Sequence, residues 1–121
     1  MSKYILVVED QEDNRQILRD LLGSSGYEIG EAGDGAEALK SVAARPPDLI
    51  LMDIQLPVMD GYEATRRIKA TPAGKAIPII VVTSYALSGD EEKALAAGGD
   101  DYVTKPYSPK ALLAKIRTYL D

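Results

Sequence analysis

The sequence predicts one α/β domain on a parallel sheet, and three observations predict it. Runs of β-branched and aliphatic residues alternate with amphipathic segments from one end of the chain to the other. The runs at 5–8, 49–52 and 79–82 are unbroken by polar residues, as expected of strands buried on both faces. Turn and cap residues stand at the boundaries between them. With 121 residues the chain can bury one substantial core, and the pattern leaves no linker, repeat or second domain.

The first strand is Tyr4–Val8. The helix after it puts Ile17, Leu18, Leu21 and Leu22 on one face and stops near Gly23–Gly26. Glu28–Ala32 is the weakest strand, because its alternation with Glu and Gly suits a partly exposed edge. Asp34-Gly35 turns into a helix at Ala36–Ala44, which Arg45-Pro46-Pro47 ends. The third strand is Leu49–Asp53; Asp60-Gly61 then opens a helix at about Tyr62–Ala70. The fourth strand is Ile79–Thr83, and Ser88 with Glu91 three residues later is a capping-box signature for a helix closing at Gly98-Gly99. The fifth strand is Asp101–Thr104. Ser108-Pro109 reads as N-cap and first-turn proline of a last helix with Leu112, Leu113, Ile116 and Leu120 on its face. Five βα units in succession imply right-handed crossovers with helices on both faces of the sheet.

Composition removes whole classes of chemistry. A net charge of −5, with Lys and Arg scattered, argues against a nucleic-acid-binding surface. The chain has no Cys, hence no disulfides or thiol chemistry, and no His, hence no zinc triad and no histidine base. No apolar stretch approaches a membrane span and Met1-Ser2-Lys3 opens no signal peptide, so a soluble cytoplasmic protein is expected.

Four of the runs end on residues able to do chemistry: Val8 runs into Glu9-Asp10, Met52 into Asp53, Val82 into Thr83, and Thr104 into Lys105-Pro106. In a parallel sheet these ends share one edge, where open α/β sheets bind ligands. Two carboxylates about 4 Å apart repel by roughly 4 kcal/mol at an effective dielectric near 20, so such a group either takes up protons or recruits a cation. Oxygen ligands in a small, wet crevice suit Mg²⁺. With a Lys, a Thr hydroxyl and an available carboxylate beside it, the set is one for phosphoryl transfer, and Asp53, alone at its strand end, is the candidate nucleophile.

Val8-Glu9-Asp10, Asp53-Ile54-Gln55-Leu56-Pro57-Val58-Met59-Asp60-Gly61, Val82-Thr83-Ser84 and Tyr102-Val103-Thr104-Lys105-Pro106 together resemble the response-regulator receiver domain of two-component signalling. The resemblance runs from Tyr4 to the C-terminus. It implies a doubly wound, flavodoxin-like (βα)5 fold with strand order 2-1-3-4-5. It implies Asp53 as phosphoacceptor, Asp10 and Asp53 as direct Mg²⁺ ligands, Glu9 acting through water and the Gln55 backbone carbonyl as a further ligand. Thr83 and Lys105 would contact the phosphoryl group, the Lys105-Pro106 peptide would be cis, and Tyr102 would be the switch aromatic.

The expected function is a stand-alone switch rather than an enzyme with external substrates. A sensor histidine kinase or histidine phosphotransfer protein supplies the phosphohistidine, since this chain has no His, and self-hydrolysis resets the switch. The surface of helix four, strand five and helix five is the expected output face for a downstream protein, with Ser84–Gly89, Tyr102 and Tyr107 bordering it. A monomer, or a weak dimer on activation, is expected. Output through protein contact is expected because the sequence ends after helix five. Asp34 and Asp60 read as turn and cap residues, Gly61 as serving backbone conformation and Pro57 as stiffening its loop. Tyr27, Tyr62 and Tyr119 read as packing on helix–sheet surfaces. Tyr85 is balanced between such a role and bordering the site, where it would hinder an attacking water.

Two other classes stand beside this one. A Mg²⁺-dependent aspartyl-phosphate phosphohydrolase would need an acid two residues past Asp53, where Gln55 stands, and a cap domain. A flavin or nucleotide module would need a glycine-rich cradle, whereas the first βα loop, Glu9–Asn14, carries acids.

Overall fold

The computed structural model describes residues 2–83 and 90–120, apart from the side chains of Asp90 and Glu91. Tyr85, the Ser84–Gly89 segment and the Ser88–Glu91 capping box therefore lie outside the described residues. The elements are β1 Tyr4–Val8, α1 Glu12–Ser24, β2 Glu28–Ala32, α2 Gly35–Ala44, β3 Leu49–Asp53, α3 Gly61–Lys69, β4 Ile79–Thr83, α4 Asp90–Ala96, β5 Asp101–Thr104 and α5 Pro109–Leu120. All strand pairings are parallel, in the order β2-β1-β3-β4-β5. This is the doubly wound, flavodoxin-like arrangement, with β2 on an edge as its composition suggested.

Alternate side chains of each central strand serve opposite faces. Leu6, Val8, Ile50, Met52, Ile79 and Val81 pack with Ala38 and Val42 of α2, Ala64 and Ile68 of α3 and Ala94 of α4. Ile5, Val7, Leu49, Leu51 and Ile80 pack with Leu18 and Leu22 of α1 and Leu112 and Ile116 of α5. β3 and β4 are buried along their whole length, which is why they read as uninterrupted apolar runs. Tyr62 packs on the first cluster and Tyr27 and Tyr119 on the second, as expected of them.

Local chemistry explains the helix ends. Asp34 Oδ1 accepts from Glu37 N–H at 2.7 Å and Asp60 Oδ1 from Glu63 N–H at 2.9 Å, so both are caps. Each is followed by a glycine in the first helical position, so α2 and α3 begin one residue before the sequence reading placed them; α3 also ends one residue earlier. Ser108 Oγ caps α5 by accepting from Ala111 N–H at 3.3 Å. The glycine stops of α1 and α4 are Schellman motifs. Gly26 N–H donates to Gly23 O and Tyr27 N–H to Leu22 O; Gly98 N–H donates to Leu95 O and Gly99 N–H to Ala94 O. Gly26 and Gly98 have φ of 92° and 103°, which only glycine adopts without strain.

One apolar residue departs from its expected place. Ile17, assigned to the buried face of α1, is 60% exposed, because Leu18 and Leu22 alone form the buried stripe. It lines a surface groove with Asn14, Pro106, Tyr107 and Pro109.

Candidate functional site

The carboxyl ends of β1, β3, β4 and β5 converge as the parallel order requires. β1 and β3 are direct neighbours, with Val8 opposite Met52, so the chain continues into Glu9-Asp10 and Asp53 side by side. On the other side of β3, Asp53 is in register with Val82, one residue before Thr83. Thr83 in turn pairs with Thr104, and Lys105 N–H donates to Thr83 O at 2.6 Å. The Lys105-Pro106 peptide is cis, as expected.

Glu9, Asp10, Gln11, Asn14, Asp53, Gln55 and Lys105 line a crevice of about 350 Å³. Carboxylate oxygens of Glu9, Asp10 and Asp53 lie within 4.8 Å of one another. Glu9 is 3% exposed, Asp53 6% and Thr83 2%, whereas Asp10 is open to solvent. Lys105 Nζ reaches between the two buried acids, 3.1 Å from Glu9 Oε1 and 3.4 Å from Asp53 Oδ2. Asp53 Oδ1 accepts from Gln55 N–H at 3.2 Å, and Glu9 Oε2 from Gln11 N–H, also at 3.2 Å.

One ammonium against three carboxylates leaves a crowded negative charge, and the acids divide it unequally. Burial, and then the charge of Glu9, push the Asp53 carboxyl up to about 6, against the pull of Lys105 and the Gln55 N–H. Burial also works to raise Glu9. Its hydrogen bonds to Asp10, Gln11 N–H and Lys105 outweigh that and hold it below the ordinary carboxylate range. Asp10 is raised, chiefly by the hydrogen bond it shares with Glu9. Burial opposes the charge on Lys105, but Asp53 and Glu9 more than compensate and hold it protonated. At neutral pH Asp53 is thus ionised, buried and faced by a fixed cation. Three converging oxygens with water access on the Asp10 side fit a small hard cation such as Mg²⁺.

The loop after Asp53 is unusually tight. Leu56 N–H donates to Ile54 O at 3.0 Å and Met59 N–H to Pro57 O at 2.7 Å, each spanning two residues as in a γ-turn. The second turn is centred on Val58, which has φ of 70° and is 83% exposed. A β-branched residue held there costs on the order of 1 kcal/mol. Val58→Gly relieves that strain but enlarges the freedom of the unfolded chain by a comparable amount, so its stability is expected to stay within about 0.5 kcal/mol of the parent by urea midpoint; a loss of about 1 kcal/mol or more contradicts the strain. The loop then returns to the site, where Gly61 N–H donates to Ile54 O at 2.9 Å.

Tyr102, the expected switch aromatic, and Tyr107, expected to border the output face, occupy different surroundings. Tyr102 packs against the α2–α3–α4 cluster and lines a groove with Thr104, Ser108, Ala111 and Lys115. Lys115 Nζ lies 5.9 Å from its ring centroid. Tyr107 stands between that groove and the one beside Ile17, packed on the opposite cluster, and burial raises its hydroxyl pKa. Gln11 and Asn14, which the sequence reading did not single out, join the crevice wall through a 3.3 Å bond between their amides.

The family model for the response regulator receiver domain matches residues 5–117. The chain belongs to this family. As a receiver domain of two-component signalling it is 42% identical over 120 residues to the polar-differentiation response regulator DivK of Brucella ovis, covering 99% of this chain and 98% of that protein. Among solved structures, this receiver domain resembles a putative response regulator from Chloroflexus aurantiacus J-10-fl at 30% identity and a TM-score of 0.95, with 99% of this chain and 98% of that one covered. It also resembles the receiver domain of sensor histidine kinase PA1611 from Pseudomonas aeruginosa PAO1, at 40% identity and a TM-score of 0.92, again covering 99% and 98%. That structure is described with a magnesium ion coordinated in the active site cleft. Among the described residues of this receiver domain, no helix is long and apolar enough to cross a membrane.

Proposed function

We propose that this receiver domain is a phosphorylation switch in which Asp53 accepts a phosphoryl group from the phosphohistidine of a partner protein, a sensor histidine kinase or histidine phosphotransfer protein. The observation that carries this reading is the buried Asp53 carboxylate held 3.4 Å from Lys105 Nζ within a cluster of three acids. An Asp53 oxygen forms a bond to phosphorus as the phosphorus–nitrogen bond of the donor breaks, and the electron pair leaves on the imidazole nitrogen. Lys105 offsets charge on the equatorial phosphoryl oxygens, and the Thr83 hydroxyl is assigned to hydrogen-bond one of them. Asp10 and Asp53 would hold Mg²⁺ directly, with Glu9 acting through water and the Gln55 carbonyl completing the protein ligands. When bound, the ion supplies charge neutralisation to the phosphoryl group.

Modified Asp53 favours one of two arrangements of Thr83, Lys105 and Tyr102, because its new oxygens interact better with one of them. The α4–β5–α5 face then changes its affinity for a downstream protein. Water attack at phosphorus releases inorganic phosphate and restores the carboxylate. In this reading the domain turns over only its own acyl phosphate and is not an enzyme for external substrates. Support for the metal comes from the donor set and from the magnesium described in the PA1611 receiver domain.

Intact mass after incubation with acetyl phosphate and Mg²⁺ tests the reading. One phosphoryl adduct is expected, lost on adding EDTA with the phosphodonor or in Asp53→Asn. An adduct that persists in Asp53→Asn, or none where another receiver domain is modified, overturns it.

A further inference from the structure

Behind the acid pair, one side chain joins three elements. Arg15 of α1 directs Nη1–H to the backbone carbonyl oxygen of Glu9 at 2.7 Å. Its Nη2 is 2.7 Å from Glu12 in the first turn of α1, and its Nε is 3.3 Å from Glu31 of β2. Arg19 backs the same two acids, 2.7 Å from Glu31 and 3.3 Å from Glu12. Arg15 is only 19% exposed although all three of its carboxylate and carbonyl partners lie at the protein surface or a strand end. A guanidinium bonded on every edge is a rigid fork, unlike a lone surface pair.

The carbonyl it holds belongs to the peptide between Glu9 and Asp10. On the other side of Glu9, its N–H donates to Ala32 O at 3.0 Å, which extends the β1–β2 ladder by one residue. Past Glu9 the ladder ends, and the chain must turn toward α1 while pointing two successive carboxylates into the crevice. With its N–H held by β2 and its C=O held by Arg15, Glu9 has both backbone polar groups fixed at the point where strand becomes loop.

We infer that Arg15 is a positioning residue for metal binding: by holding the Glu9 carbonyl it sets the rotation of the Glu9–Asp10 peptide and hence where the Asp10 carboxylate stands. Asp10 is the exposed member of the trio and has the least packing of its own to place it. The Glu12–Glu31–Arg19 network holds the fork, and the fork holds the turn. The inference rests on the proposed assignment of Asp10 and its neighbours as cation ligands.

The test compares the unsubstituted protein with Arg15→Met, which keeps the aliphatic stem, and Arg15→Lys, which keeps one charge without the fork. Mg²⁺ titrations are followed by backbone amide NMR, with urea unfolding measured in the metal-free state. Arg15→Met is expected to weaken Mg²⁺ binding by on the order of tenfold, as for other groups that orient metal ligands. In the metal-free protein the Asp10 amide resonance should move, because the N–H belongs to the rotated peptide. Arg15→Lys should recover part of the affinity. At saturating Mg²⁺ the rate of phosphoryl uptake from acetyl phosphate should return to within about twofold of the unsubstituted protein, since Asp53, Thr83 and Lys105 are untouched. Should Arg15→Met fail to fold, Arg15→Lys carries the same comparison. Lower urea stability with unchanged Mg²⁺ affinity overturns the inference alone and leaves Arg15 a structural residue. Absence of Mg²⁺-dependent shifts in the unsubstituted protein overturns the metal assignment and this inference together.

Discussion

Asp53→Asn is expected to stabilise the metal-free protein at neutral pH while leaving it unable to take up a phosphoryl group. The folded carboxyl is pushed up to about 6, chiefly by burial and then by the charge of Glu9. An unfolded Asp titrates near 3.9. Below that value both states are neutral at this position, and the stability contributed by the protonated carboxyl is fully present. As pH rises the unfolded chain ionises first, and stability is lost until the folded pKa is passed. Asparagine has no proton to lose. The gap between variant and unsubstituted protein should therefore be only about 0.5 kcal/mol at pH 4, widen between pH 4 and 6, and reach on the order of 3 kcal/mol by pH 7. Lys105 keeps Glu9 at 3.1 Å in the variant, so its charge stays paired. Urea unfolding in EDTA at pH 4 and pH 7 measures both ends. A variant less stable than the parent at pH 7 would show that Lys105 outweighs burial and Glu9 together.

Gly61→Ala is expected to be severely destabilising, by about 3 kcal/mol, and to disturb Asp53, the proposed phosphoacceptor, directly. A Cβ at Gly61 would meet the Asp53 carbonyl oxygen far inside van der Waals contact and lie 2.8 Å from both the Asp53 carbonyl carbon and Ile54 Cα. All three atoms are backbone, so no flexible side chain can yield. The strand end or the start of α3 has to move, and Gly61 N–H gives up its bond to Ile54 O. Both changes shift Asp53 relative to Lys105. Urea unfolding and the rate of adduct formation from acetyl phosphate should fall together. A loss below about 0.5 kcal/mol would mean that the β3–α3 loop opens freely.

The bounds of all five strands were legible in the sequence: β1, β3 and β4 write nearly their whole length in apolar residues because they are buried on both faces, whereas the half-buried β2 and β5 were placed by the turn and glycine signals around them. The starts of α2, α3 and α5 were legible to within one residue. Gly35 and Gly61 look like turn residues in a string of letters, and only the bonds accepted by Asp34 and Asp60 show that each opens its helix. Ile17 misled because it sits beside Leu18 in a periodic pattern, although only one of the two faces the core. The gathering of Glu9, Asp10, Asp53 and Lys105 followed from strand order, since residues at the same end of neighbouring parallel strands must meet. Arg15 was not legible. Its decisive partner is a backbone carbonyl, which has no letter of its own. Val58 was hidden for the opposite reason: a valine argues against the left-handed conformation that the γ-turn imposes on it.

The ammonium that balances Glu9 and Asp53 comes from the residue that follows β5, 96 positions beyond Glu9 and 52 beyond Asp53. A ribosome delivers both acids well before it delivers their counter-charge, and loop closure over such a span comes late in folding. Until Lys105 docks, the three carboxylates of the pocket repel one another without their ammonium counter-charge. Under the proposed phosphoryl transfer, competence to accept the phosphoryl group would be tied to completion of the sheet.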